Sequence, residues 1–234
     1  MNNTMPDIQH PNWLVLATTA LFAVGLAAVG VLRYLGYSAE EPPALAQYAT
    51  LIYITLTVLA VIVFVRASVP TNGFGFRVPL TLSRILMLAV AGVVLIQVVG
   101  FLLDPVLAYF IDEERDLSRF SGIAGSPGAL AQLMVQNWTV AAFGEELAFR
   151  IVLMRGIAFG LGDSRSARIV ALVLQAIVFG LIHMYQGPAG IVGSMVNGMI
   201  FGALVLLGRG SIWPAALAHG ANNTIGILQL YSAS

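Results

Sequence analysis

The chain has 234 residues, 59% of them hydrophobic and only 9% charged, with 11 arginines set against 11 acidic residues and a mean hydropathy of +0.89. A soluble globular domain carries about a quarter charged residues, so the composition excludes one and points to a single integral membrane domain over residues 1–234. Cysteine is absent, which excludes disulfides, thiolate nucleophiles and cysteine-based metal sites; lysine is absent too and no basic patch interleaves with aromatics, so no nucleic-acid binding is expected.

The leader "MNNTMPDIQHPN", which holds His10, has no Lys or Arg and so lacks the positive region of a secretory signal. The apolar run after it is read as a retained first helix, and neither end carries a lipidation motif. Apolar runs at 13–35, 45–65, 85–110, 129–161, 169–184, 189–207 and 212–230 predict the membrane helices. The fourth run is longer than a bilayer needs at about 1.5 Å per residue. It is either one steeply tilted helix or two helices broken near "VQNWT" (135–139). Asp104-Pro105 reads as a helix end or kink. The alternation of membrane strands is missing. The predicted fold is therefore an all-α, polytopic transmembrane bundle of seven to eight helices; a membrane-embedded polar cavity is added to it by the family resemblance given below.

Arginines orient the bundle. Arg66, Arg77 and Arg84 flank the loop after the second run. Arg155, Arg165 and Arg168 flank the loop after the fourth, and Arg209 follows the sixth. The loop 111–120, "IDEERDLSRF", is net acidic. Arginine-rich loops inside give a cytoplasmic N-terminus and an external C-terminus, provided that the fourth run crosses once. Gly156xxxGly160 and Gly198xxxGly202 predict close helix packing within the bundle.

"AAFGEELAFR" (141–150) places two adjacent carboxylates and a guanidinium inside an apolar run. Ionised groups at the bilayer centre cost about 2.5–3.5 kcal/mol each on insertion scales, and they mark wet cavities or functional sites. Glu145 and Glu146 are successive helix residues and point about 100° apart. Arg150 lies four residues after Glu146, on the same face. Their pairing would neutralise one carboxylate and leave Glu145 to face something else. The plain alternative is a structural cluster that holds helices together. "FGLIH" (179–183) puts Phe179 and His183 on one face; alone, His183 reads as an interfacial histidine with a solvated ring. "HGANN" (219–223) puts His219 and Asn223 on one face of the last run. They are either interhelical glue worth about 1 kcal/mol or donors aimed at developing negative charge.

Taken in order, "EELAFR", "FGLIH" and "HGANN" resemble the EExxxR, FxxxH and HxxxN motifs of the CPBP family, the CAAX-protease and bacteriocin-processing (Abi) intramembrane proteases related to the Ras-converting CAAX endopeptidase. The motifs cover about the C-terminal third, within a core at about 129–230. Many members have Gly after the motif Arg, where this chain has Ile151. The resemblance implies an intramembrane endopeptidase whose water-filled cavity opens into the membrane. It implies that Glu145 and His183 activate a water and that His219 and Asn223 hold the oxyanion. Glu146, Arg150 and Phe179 would support them. No cofactor is expected. The expected substrate is a membrane protein or peptide, prenylated or not, and the expected location is the plasma membrane if the source is a prokaryote.

The residue chemistry agrees with that reading: peptide hydrolysis needs a base, an oxyanion stabiliser and water. Zinc is the nearest alternative, since two Glu and two His are reasonable ligands, but HExxH is missing and Arg150 opposes a cation. "GLGD" (160–163) matches the GxGD string of presenilin-like proteases but lies in an Arg-rich loop, and "VGSMVNG" around Ser194 lacks the GxSG of rhomboids. A non-catalytic scaffold or a small transporter with an ion site remains a second class, although no inverted repeat is evident.

Overall fold

The computed structural model describes residues 12–71, 73–77, 80–111 and 115–232; His10 and the acidic stretch 112–114 lie outside them. Among the described residues there are eight α-helices and no strand. They are α1 (Trp13–Ser38), α2 (Ala49–Arg66), α3 (Leu82–Phe110), α4 (Pro127–Gln136), α5 (Arg155–Gly160), α6 (Arg165–Leu181), α7 (Gly187–Leu207) and α8 (Trp213–Ser232). Sequence sets several starts. Asn12, Thr81, Ser126 and Ser164 cap α1, α3, α4 and α6 by accepting from backbone N–H groups three residues on, and Pro127 sits in the first turn of α4. The α3 helix passes through Pro105 and ends at Phe110, so Asp104-Pro105 is not its end.

The fourth run does not break at 135–139. Between α4 and α5 the helix continues through two π-helical stretches, Asn137–Glu145 and Leu147–Met154, with ordinary right-handed helical dihedrals at the junctions Gln136, Glu146 and Arg155. Asn137 starts no new helix because its side chain is used elsewhere: its amide donates to the Gly220 carbonyl of α8 at 2.9 Å. The hydrogen bonding loosens to i→i+5 instead, a pattern that is rare and concentrated at functional sites.

The loops gather at two ends. At one, Asn12 N–H donates to the Gly160 carbonyl (3.0 Å), Arg155 Nε to the Pro70 carbonyl (2.9 Å) and Ile212 N–H to the Gly75 carbonyl (3.2 Å). We call this the closed end. At the other, Asp116 N–H donates to the Gln186 carbonyl (3.0 Å) and Gly125 N–H to the Tyr231 carbonyl (3.2 Å). The segment from α4 to α5 runs once from this open end to the closed end.

Four helices are long and apolar enough to cross a membrane: Trp13–Ser38, Ala46–Arg66, Leu82–Phe110 and Met184–Leu207. They turn large apolar side chains outward; Phe101 is 79% and Leu21 73% exposed, as a lipid-facing surface requires. The remaining passes, α4 to α5, α6 and α8, are shorter or more polar because they carry the three motifs inward. The small-residue pairs also face inward. Gly156 packs on Thr19 and Phe64, Gly160 on Leu16, Gly198 on Ala176 and Phe179, and Gly202 on Leu172. Ile151, standing where the family often has Gly, is buried at 3% exposure.

Candidate active site

The open end leads into a cavity of about 1880 Å³, lined among others by Glu145, His183, His219, Asn223, Phe179 and Arg33. Drug-sized pockets are about 300–1,000 Å³, so this one has room for a polypeptide segment. Three elements deliver the motif side chains: the π-helical segment, the α6–α7 turn and α8.

Glu146 is fully buried and doubly engaged. Its Oε2 lies 3.1 Å from Arg150 Nε, an ion pair without hydrogen-bond alignment, and its Oε1 accepts from His219 Nδ1 at 2.9 Å. Arg150, also fully buried, rests over the rings of Phe179 (4.6 Å) and Phe201 (5.3 Å) and donates from Nη2 to the Gly198 carbonyl at 3.4 Å. Gln175 Nε2 donates to the same carbonyl at 2.8 Å. Buried charge survives only when paired and hydrogen-bonded, and this cage of acid, aromatic faces and carbonyl is how Arg150 is accommodated.

Glu145 differs from its neighbour. It is 6% exposed, it lines the cavity, and its Oε2 lies 4.0 Å from His219 Nε2 with no hydrogen-bond partner among the described residues. The two glutamates therefore approach opposite nitrogens of one imidazole. The His219 ring is held flat by Phe201, stacked at 4.5 Å and 16°, and edge-on by Phe179 at 6.0 Å.

His183 lies in the turn after α6 and lines the cavity. Gly187, with φ of +75°, lets the chain reverse there, and the loop beginning at Arg115 folds over the turn, with Arg115 Nε donating to Gln186 Oε1 at 2.6 Å. A carbonyl can only accept, so the 2.7 Å contact from His183 Nδ1 to the Phe179 carbonyl puts the proton on Nδ1. Nε2 of neutral His183 is then an acceptor. The same logic holds for His219: Nδ1–H is committed to Glu146, so Nε2 donates only if the ring carries both protons.

Residues 127–225, which include every motif residue, match the family model described as Rce1-like, type II CAAX prenyl endopeptidase. The chain carries an Rce1-like domain. No curated protein and no solved structure matches it. That family is one of CAAX-type intramembrane peptidases, and a chain with these apolar helices is an integral membrane protein acting in a lipid bilayer.

Within the Rce1-like domain the structure groups Glu145, His183, His219, Asn223 and Phe179 around one cavity and sets Glu146 and Arg150 behind it. Asn223 makes no hydrogen bond within the described residues, whereas its neighbour Asn222 accepts from Gln97 at 2.8 Å. Among the described residues no three His, Asp or Glu side chains converge as metal ligands. Asp163 of the GLGD string pairs with Arg155 (2.6 Å) and Arg168 (3.0 Å) at the closed end, away from the cavity. The sequence reading missed Phe201, Gln175 and Arg33. An aromatic and an amide in apolar helices give no local signal, but an arginine inside the first span did. Arg33 lies over the Tyr53 ring at 5.6 Å and lines the cavity.

Proposed function

We propose that the protein is an intramembrane endopeptidase that hydrolyses a peptide bond with a glutamate-activated water and without a metal. The observation that supports this most directly is the buried, cavity-lining Oε2 of Glu145, which has no hydrogen-bond partner among the described residues, beside a Glu146 held by the Arg150 ion pair and the His219 hydrogen bond. In the reaction, Glu145 takes one proton from a water whose second hydrogen is held by Nε2 of His183. The water oxygen bonds to the scissile carbonyl carbon. The carbonyl oxygen becomes an oxyanion that accepts from the Asn223 amide and from Nε2 of His219 when that nitrogen carries a proton. The C–N bond then breaks as the amine takes the proton from Glu145. Glu146 and Arg150 keep His219 oriented. The substrate is a membrane protein or peptide, prenylated or not. The chain sits in a membrane with its N-terminus in the cytoplasm, the membrane being the plasma membrane if the source is a prokaryote.

The test is to purify wild type and Glu145→Ala in detergent and incubate each with membrane-embedded and prenylated peptides, with and without a chelator. Mass spectrometry reads the products. Cleavage by wild type alone, indifferent to the chelator, is the expected result. Loss on chelation with recovery on added zinc would turn the Glu/His cluster into a metal site. Equal cleavage by the two proteins would remove Glu145 from the chemistry.

A further inference from the structure

The two ends of the bundle differ in charge, and the cavity opens at only one of them. Arginines 66, 77, 84, 155, 165, 168 and 209, seven of the 11, belong to loops and helix ends at the closed end, with Asp163 the one acidic residue described there. The open end has three, Arg33, Arg115 and Arg119, among Glu40, Glu41, Asp104 and Asp116. Those three are also built into the site. Arg33 lies over Tyr53, Arg115 holds Gln186, and Arg119 sits over Tyr37 (5.4 Å) and Tyr185 (4.7 Å).

Orientation follows arginine and lysine counted in short loops and near helix ends, and acidic residues contribute little. The closed end is therefore the cytoplasmic one. The condition attached to that rule is met, because the long segment 127–160 crosses once. The loops at the closed end are tied to one another by backbone hydrogen bonds, while the 1880 Å³ cavity opens between the ends of α1, α3 and α8 and the 115–123 loop at the other.

We propose that the catalytic cavity opens on the extracytoplasmic side of the membrane, so that its substrate is a polypeptide segment presented at the outer leaflet: the outer juxtamembrane part of a membrane protein or a translocated peptide. This rests on the proteolytic reading above. A cytosolic protein with a prenylated tail would be on the wrong side. The arginine distribution and the position of the mouth carry the inference together; either alone would leave the side undetermined.

The test exploits the absence of cysteine from the chain. Ala44→Cys and Gln47→Cys stand at the mouth, Ala189→Cys lines the cavity, and Ser166→Cys is exposed at the closed end. Each full-length variant is treated in intact cells with a membrane-impermeant thiol reagent, then again after lysis. Labelling of Ala44→Cys, Gln47→Cys and Ala189→Cys before lysis, and of Ser166→Cys only after it, is expected. The reverse pattern overturns the proposal and does so without reference to activity. A second arm expresses two membrane-anchored substrates with the same cleavable segment, one facing outward and one inward, with wild type or Glu145→Ala. Cleavage of the outward substrate alone is expected. Cleavage of the inward one alone overturns the proposal even if labelling agreed with it. Cleavage of neither, with labelling as expected, counts against the proteolytic reading and leaves the orientation standing.

Discussion

Glu145 and Glu146 differ by one position, and the structure gives them opposite sensitivities to the same substitution. Glu146→Gln leaves Arg150, 0% exposed, without its counter-ion, and weakens the acceptor for His219 Nδ1. Removing one partner of a buried pair costs about 3–5 kcal/mol because the other charge stays buried. At about 2–4 °C per kcal/mol for a chain of this size, the unfolding midpoint should fall by roughly 6–20 °C. Glu145→Gln strips a charge from a side chain that has no close ion pair beyond the 4.0 Å approach of His219. Its midpoint should stay near wild type, while cleavage drops by about 10²–10⁴-fold for loss of the base. The assays are tryptophan fluorescence during heating in detergent and product formation by mass spectrometry. A double variant, Glu146→Gln with Arg150→Met, should recover part of the lost midpoint because it removes both halves of the pair. If Glu145→Gln melts as low as Glu146→Gln, or if Glu146→Gln melts like wild type, the assigned division between supporting and reacting carboxylate is wrong.

Asn223→Ala should slow cleavage by about 10²–10³-fold, the worth of one oxyanion donor, without moving the midpoint; undiminished turnover would remove it from the oxyanion site. Gly220→Ala should destabilise by roughly 1–3 kcal/mol, since an added Cβ falls 2.5 Å from the Trp138 ring; a midpoint equal to wild type would show that Trp138 moves aside freely. Burial raises the proton affinity of Asp163, but hydrogen bonds from Arg168 and Arg155 outweigh it and hold the carboxyl below its usual range. A depressed carboxylate stabilises above its unfolded value and loses that contribution as pH falls through the folded one. Acid titration below roughly pH 4 should therefore lower the wild-type midpoint more steeply than that of Asp163→Asn, and parallel acid limbs would contradict this.

Much of the bundle was legible because membrane spans announce themselves by length and apolarity, and the boundaries of α2, α3 and α7 lie within a few residues of the apolar runs. The polar residues of the site were legible for the same reason in reverse: in a chain this apolar, a Glu-Glu-x-x-x-Arg or a buried His stands out. The behaviour of the fourth run was not. A break and a π-helical widening leave similar traces in sequence, because both involve a polar residue inside an apolar run, and only the partner of Asn137, the Gly220 carbonyl 83 positions away, decides between them. The covering of His183 was hidden likewise. Nothing local shows that the loop from Arg115 covers the turn after α6 and leaves that histidine within the bundle.

The widening bears on how two adjacent glutamates share one imidazole. With i→i+5 bonding each residue turns through a smaller angle than in an α-helix, so neighbours splay less. Glu146 sits between the two π-helical stretches and reaches Nδ1 of His219 at 2.9 Å, while Glu145 closes the first stretch and reaches toward Nε2 at 4.0 Å. An α-helical register would keep the Glu146–Arg150 spacing but swing Glu145 away from the ring. The polar side chains that anchor the segment to its neighbours fit this account. Tyr53 donates to the Gly144 carbonyl at 3.0 Å, one residue before Glu145, and Asn137 donates to α8 one residue after His219. Asn137→Leu should therefore lower activity more than its effect on the midpoint explains. If activity and stability fell in proportion, the π-helical register would be a by-product of packing and not the device that aims both carboxylates at His219.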